Sequence, residues 1–131
     1  MGIVAVLVAA IAGFACGAVW YMSLAKPWMQ AAGIPTDAEG KPAGGANPMP
    51  FLVAGIAMIL VAGMMRHIFA RSGIASPMGG LTAGLGIGAF FITPWMAMNY
   101  AYAMRPWKLT VLDAGYAIIG CGAIGLVLGL F

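Results

Sequence analysis

The chain has 131 residues, of which 63% are hydrophobic and 7% charged, with a formal net charge of +3. Soluble domains are about half apolar and about a quarter charged, so this chain has too little polar surface to cover a water-facing exterior. The same apolar excess excludes a disordered chain, and six scattered Lys and Arg residues make no basic face for nucleic acid. The expectation is an all-α integral membrane protein, a single transmembrane domain over residues 1–131 built as a four-helix bundle.

In chain order, the first apolar stretch covers residues 2–22, enough for a bilayer core that takes about 20 residues per helix. No Lys or Arg precedes Lys26, so the stretch lacks the charged start of a cleaved leader and reads as a retained span. Residues 26–48 hold Pro27, Pro35, Pro42 and Pro48 with Gly33, Gly40, Gly44 and Gly45, which predicts an irregular surface loop with a short interfacial turn at 34–39. The second span covers 50–65, with Arg66 and His67 snorkelling if residues 68–70 extend it. The third covers 78–104 and contains Pro94, which predicts a kink. The carbonyl that Pro94 frees needs another donor in lipid, and Thr93 is a candidate. The fourth covers 112–131. An even number of spans puts both termini on one side. The first and third loops carry Lys26, Lys41, Arg105 and Lys108 against Arg66 and Arg71 in the middle loop. By the positive-inside rule those two loops face the cytoplasm and both termini lie outside.

Glycine supplies 20 of the residues, and Gly80, Gly84 and Gly88, Gly13 and Gly17, and Gly125 and Gly129 recur at spacings of four. Such spacing makes a flat groove for close helix approach, which has to replace the hydrophobic drive absent in lipid. The sequence leaves open whether the partner helix belongs to the same chain. Three helices with such seams exceed what one bundle needs, which favours an oligomer. Lys26-Pro27-Trp28 after the first span and Arg105-Pro106-Trp107 after the third are either a parallel two-plus-two repeat or two ordinary interfacial Trp-Pro helix ends.

The four Trp and four Tyr all fall in the half bearing the first and third loops. Aromatic belts mark both interfaces in most membrane proteins, so this asymmetry reads either as a one-sided anchor or as a ligand site. On the third span Phe91, Trp95, Asn99 and Tyr102 share a helical face with Gly84 and Gly88, a face expected to point at protein and to bury Asn99 among hydrogen-bond partners. On the fourth, Asp113, Tyr116, Ala117 and Gly120 share a face, and on the first Gly13, Gly17 and Trp20 do. Asp113 is the one acid outside the first loop, at or near the start of the fourth span. It reads as a helix-start cap or an ion pair with Arg105 or Lys108, or else as a proton-relay or ligand-binding group. Cys16 and Cys121 sit in apolar stretches and read as small hydrophobes. A lone His67 makes no metal set, and no cofactor is implied.

Several of these residues stand in runs similar to a known family. Gly17-Ala18-Val19-Trp20-Tyr21, with Lys26 and Trp28-Met29 after it, resembles the first-span signature of the uncharacterised bacterial membrane family called domain of unknown function 1761. Pro94, Asn99, Arg105-Pro106-Trp107-Lys108-Leu109 and Asp113-Ala114-Gly115-Tyr116 resemble its third loop and fourth-span opening. Family members usually carry Ser-Pro after Trp-Tyr and then Phe-Gly-Lys, whereas Met22-Ser23-Leu24-Ala25-Lys26-Pro27 is shorter and displaces the proline. The resemblance implies four spans and a bacterial inner membrane location, and brings no established activity.

The functional expectation is a non-enzymatic membrane protein whose aromatic end binds a lipid or other amphipathic ligand, or docks a partner. The candidate residues are Trp20, Tyr21, Trp95, Asn99, Tyr102, Arg105, Trp107, Asp113 and Tyr116. The expected partners are membrane lipids, further copies of the chain or a larger membrane complex. The alternative is an oligomeric small-solute transporter or channel, which would have to rely on Asp113. A membrane enzyme has the least support, because no catalytic constellation is present and the only Glu, Glu39, lies in the first loop.

Overall fold

The computed structural model describes residues 2–43 and 47–131; Gly44 and Gly45 of the expected loop lie outside them. Helix α1, Gly2–Ser23, ends where Pro27 cannot donate to the Ser23 carbonyl and its ring crowds that oxygen. The chain bends at Leu24 (φ −114°, ψ 23°) and continues as α2, Ala25–Ala32. Bonds from Leu24 N–H to the Trp20 carbonyl and from Trp28 N–H to the Leu24 carbonyl, both 3.0 Å, carry the ladder across the bend. Part of the expected irregular loop is therefore helical. Gly33 (φ 73°) closes α2, with its own N–H and that of Ile34 returning to the carbonyls of Gln30 and Met29. The expected turn follows, where the Asp37 carboxylate accepts the N–H groups of Glu39 and Lys41 at 2.9 and 3.0 Å.

Helix α3, Met49–Ser72, runs past the boundary read from sequence. Arg66, His67 and Arg71 lie on the helix with exposed side chains, because nothing breaks the ladder before Gly73 (φ 72°). Helix α4, Pro77–Ile87, starts on Ser76, whose hydroxyl accepts the Gly79 N–H at 3.0 Å. It passes into a π-turn, Gly88–Ile92, and then into α5, Thr93–Tyr102. The departure from α-helix that Pro94 predicts thus takes the form of a wider turn just before it. The Thr93 hydroxyl donates to the Gly88 carbonyl at 2.7 Å, which also takes the Thr93 N–H, so it reinforces the π-turn and does not meet the carbonyl that Pro94 frees. Helix α6, Trp107–Leu130, starts directly after extended Pro106 (ψ 144°), well before residue 112.

Four stretches are long and apolar enough to cross a membrane: Gly2–Ser23, Met49–Ser72, Pro77–Tyr102 and Trp107–Leu130. The protein is an all-helical, four-span bundle, and its centre is α6. That helix packs most extensively on α4, then on α1, and also on the π-turn and α5. The α4–α6 contact brings backbones together. A Cβ on Gly80 would overlap the Gly125 carbonyl, one on Gly84 the Cys121 carbonyl, and one on Gly88 the Ala117 carbonyl. On α1, a Cβ at Gly13 would sit 2.8 Å from Ile124 Cδ1, and one at Gly17 would sit 2.8 Å from the Tyr116 hydroxyl. All three glycine seams named from sequence are filled from within the chain, so the seams themselves call for no second copy.

The core is built from Ala5, Val6, Ala9 and Ala10 of α1, Ala62, Met65 and Phe69 of α3, and Cys121, Ile124 and Leu128 of α6. The fully buried residues of α3 all lie in its second half, with half-buried Met58 packed against the core from the first. Its first half is exposed or half-buried, and α3 makes no sizeable contact with the π-turn or α5 among the described residues. Helix α3 packs mainly on α1, touches α6 more lightly and makes no sizeable contact with α4 either among the described residues, so a gap parts it from α5 at the Asp113 end.

Close backbone approach can be tested with adjacent glycines. Gly84→Ala is expected to destabilise the protein by about 2 kcal/mol, because the two helices must separate to admit one methyl. Gly86→Ala, which meets nothing within 4 Å, is expected to stabilise the protein by up to about 1 kcal/mol, because alanine loses less backbone freedom in a helix. Thermal unfolding in detergent, followed by circular dichroism, measures both.

Candidate functional site

Asp113 lies six residues past Trp107, about 9 Å into α6 at ~1.5 Å per residue. It neither caps the helix nor pairs with Arg105 or Lys108. Its carboxylate takes hydrogen bonds from three neutral donors. Oδ1 accepts from the Tyr21 hydroxyl at 2.6 Å and from Trp28 Nε1 at 2.9 Å, and Oδ2 accepts from the Tyr100 hydroxyl at 2.5 Å. The reason is the earlier helix start: with α6 beginning at Trp107, Asp113 turns inward beyond the reach of the free N-terminal N–H groups.

The donors come from three elements, and each is placed by a local feature of the chain. Tyr21 stands in the last turn of α1. Trp28 reaches back because the chain bends at Leu24. Tyr100 is phased by the π-turn. Seven residues on from Gly84 and Gly88, a regular helix would bring Phe91 and Trp95 onto the packing face. The wider turn adds one residue, so Ile92, Met96 and Tyr100 face inward instead. Trp95 and Tyr102 are consequently 68% and 86% exposed. Asn99 is exposed too, against the expectation that it is buried and hydrogen-bonded.

Further aromatic rings complete the wall. Tyr21 meets Trp28 and Tyr116 edge-to-face, with ring centroids 5.6 and 5.4 Å away. The Tyr116 hydroxyl donates to the Gly13 carbonyl at 2.9 Å, in space left by Gly17 and Gly120. Trp20 lies against Gly115, where a Cβ would overlap its ring, and its Nε1 donates to the Leu112 carbonyl at 2.9 Å. Arg105 donates to the Ala32 carbonyl at the end of α2, where a cation also suits the helix dipole. Trp107 is 71% exposed and points away from the site. The two Pro-Trp segments that echo each other in sequence therefore differ in setting: Trp28 is half-buried on Asp113, and Trp107 faces outward.

Beside the carboxylate lies a cavity of about 690 Å³, set in the gap between α3 and α5. Asp113, Tyr21, Trp28, Tyr100 and Tyr116 line one part of it, and Val53, Met58, Val61, Met96 and Ile124 line the rest. Ligand cavities have volumes of roughly 300–1,000 Å³, mostly apolar with a few convergent polar groups, and this one has that character. Of the nine residues named from sequence, the structure gathers Tyr21, Asp113 and Tyr116 at the cavity. It puts Trp20 and Arg105 in supporting contacts and leaves Trp95, Asn99, Tyr102 and Trp107 outside. Sequence reasoning missed Trp28 and Tyr100 as site residues. The signal for Trp28 was its place in the first-span run. The signal for Tyr100 was Pro94, which gave notice that helical phase would shift.

The family model described as protein of unknown function (DUF1761) matches residues 4–129, and the chain belongs to that family. No curated protein and no solved structure matches it.

The carboxylate cluster makes a graded prediction. Asp113→Ala strands three donors and is expected to cost about 3 kcal/mol, at roughly 1 kcal/mol or more per unmet group. Tyr100→Phe removes one bond and is expected to cost about 1 kcal/mol. Trp95→Ala should stay within about 0.5 kcal/mol. Chemical or thermal unfolding of the three variants in one detergent measures the order.

Proposed function

We propose that this member of the DUF1761 family is a non-enzymatic bacterial inner-membrane protein that binds an amphipathic ligand in the crevice between α3 and α5. The observation that supports this reading is the pairing of one polar cluster, Asp113 with Tyr21, Trp28 and Tyr100, with a long apolar wall in a single cavity of about 690 Å³. A head group meets the cluster and an apolar body lies along Val53, Met58, Val61 and Met96. The parted helices give the ligand a lateral way in from the lipid. Lys26, Lys41, Arg105 and Lys108 put this end of the molecule on the cytoplasmic side and both termini outside. Trp95, Tyr102 and Trp107, exposed beyond the crevice, act as interfacial anchors or as contacts to further copies or another membrane subunit.

A second reading, small-solute transport, draws support from the depth of Asp113. A carboxylate inside a span rather than at its edge is where proton-coupled carriers keep one. On that reading Asp113→Asn abolishes flux in liposomes while the fold survives.

Native mass spectrometry of the protein, gently extracted from its own membrane, tests the binding reading. The expected result is one small amphiphile per chain, lost on Val53→Trp, which fills the crevice from its exposed wall. A chain that carries nothing small, in the native sequence and the variant alike, would overturn it.

A further inference from the structure

We infer that the ligand of this crevice is a free, net-cationic amphiphile, an organic ammonium or comparable cation with an apolar body. The inference rests on the binding reading above and adds the charge of the ligand. Asp113 is the only charged residue among those lining the cavity; no Lys, Arg or His is among them. Its partners are the neutral Tyr21, Trp28 and Tyr100, so no cation is paired with the carboxylate; the charge of Arg105 reaches Tyr100, but its guanidinium is bound to the Ala32 carbonyl. A charge within a span that lacks a countercharge is costly, and a bound cation supplies one.

The geometry leaves room for this. A carboxylate offers about four lone-pair positions. Oδ1 holds two hydrogen bonds and Oδ2 one, which leaves a position on Oδ2. The rings around it are the other half of a cation site, because an organic cation is drawn to the face of Trp and Tyr. Here the Tyr21 ring lies at 72° to Trp28 and 76° to Tyr116, so the rings of the wall face in different directions. A phospholipid head fits poorly: it brings a phosphate beside a carboxylate, and the wall has no cation to meet it. An anionic amphiphile fits worse for the same reason. Val53, Met58, Val61 and Met96 then hold the apolar body.

Two near-isosteric hydrophobic ions isolate the charge. Tetraphenylphosphonium and tetraphenylborate are titrated calorimetrically into the full-length protein in a non-ionic detergent. The expected result is one cation per chain, with the anion at least about tenfold weaker. Asp113→Asn is expected to lower cation affinity about tenfold or more, as loss of a charged contact backed by cation–π attraction implies, and Asp113→Glu to restore most of it. Equal binding of the two ions, a change under twofold in Asp113→Asn, or displacement of the cation by phosphatidylglycerol would each overturn the charge assignment. If Asp113→Asn fails to fold, the comparison of the two ions on the native protein still decides. Equal binding that is lost in Val53→Trp would sink the charge inference and leave the crevice as a site. Binding unchanged in Val53→Trp would remove the crevice reading with it.

Discussion

A carboxylate inside a membrane span has no water to turn to, so its hydrogen bonds must come from the same protein. That constraint organises one end of this molecule. The donors to Asp113 are Tyr21, Trp28 and Tyr100, and two of the three are delivered by departures from regular helix. The bend at Leu24 folds α2 back so that Trp28 points inward. The π-turn at Gly88–Ile92 re-phases α5 so that Tyr100 does. A third irregularity follows directly: Met104 adopts a left-handed conformation (φ 58°), and the Arg105 N–H returns to the Tyr100 carbonyl at 2.9 Å. Such a conformation costs a non-glycine residue roughly 1–2 kcal/mol. Here it turns the chain so that Arg105 reaches the end of α2, the helix that carries Trp28.

The closeness of α4 to α6 has the complementary effect. Glycines on both helices let the backbones meet, and in lipid such contact is a main source of helix association. With α4 and α1 both drawn tightly onto α6, the remaining helix has fewer places to pack. Helix α3 docks through Ala62, Met65 and Phe69 in its second half, and at the Asp113 end it stands away from α5. The crevice is what the bundle leaves open when three spans pack by glycine and the fourth packs on α1 and makes no sizeable contact with α5.

Much of this was legible in the residues. Spans can be counted because a bilayer core demands about 20 apolar residues in a row. The glycine seams were visible as spacings of four, and the aromatic asymmetry was visible as soon as the spans were laid antiparallel. Helix ends were less legible. Arg66 and His67 look like the end of a span by hydropathy, but helix termination depends on backbone chemistry, and the first residue to supply it is Gly73. The start of α6 was misplaced for a related reason, since Trp107 and Lys108 are good helix residues in an interfacial stretch. That error made Asp113 look like a cap.

The sequence by itself determined that this chain lives in a membrane, spans it four times, and carries all three of its acids, Asp113 alone among them within a span, and all its Trp and Tyr toward the same end. These properties follow from composition and order, which need no knowledge of packing. Only the tertiary structure decided which of those aromatics meet the acid. Helical phase carries a face reliably through a regular helix, and one wider turn rotates everything beyond it. At Gly88–Ile92 that turn exchanged Trp95 and Asn99 for Met96 and Tyr100, and a site predicted on one face formed on its neighbour. The seams, too, had to find their partners in space, because spacing marks a surface for close approach and says nothing of which helix will come.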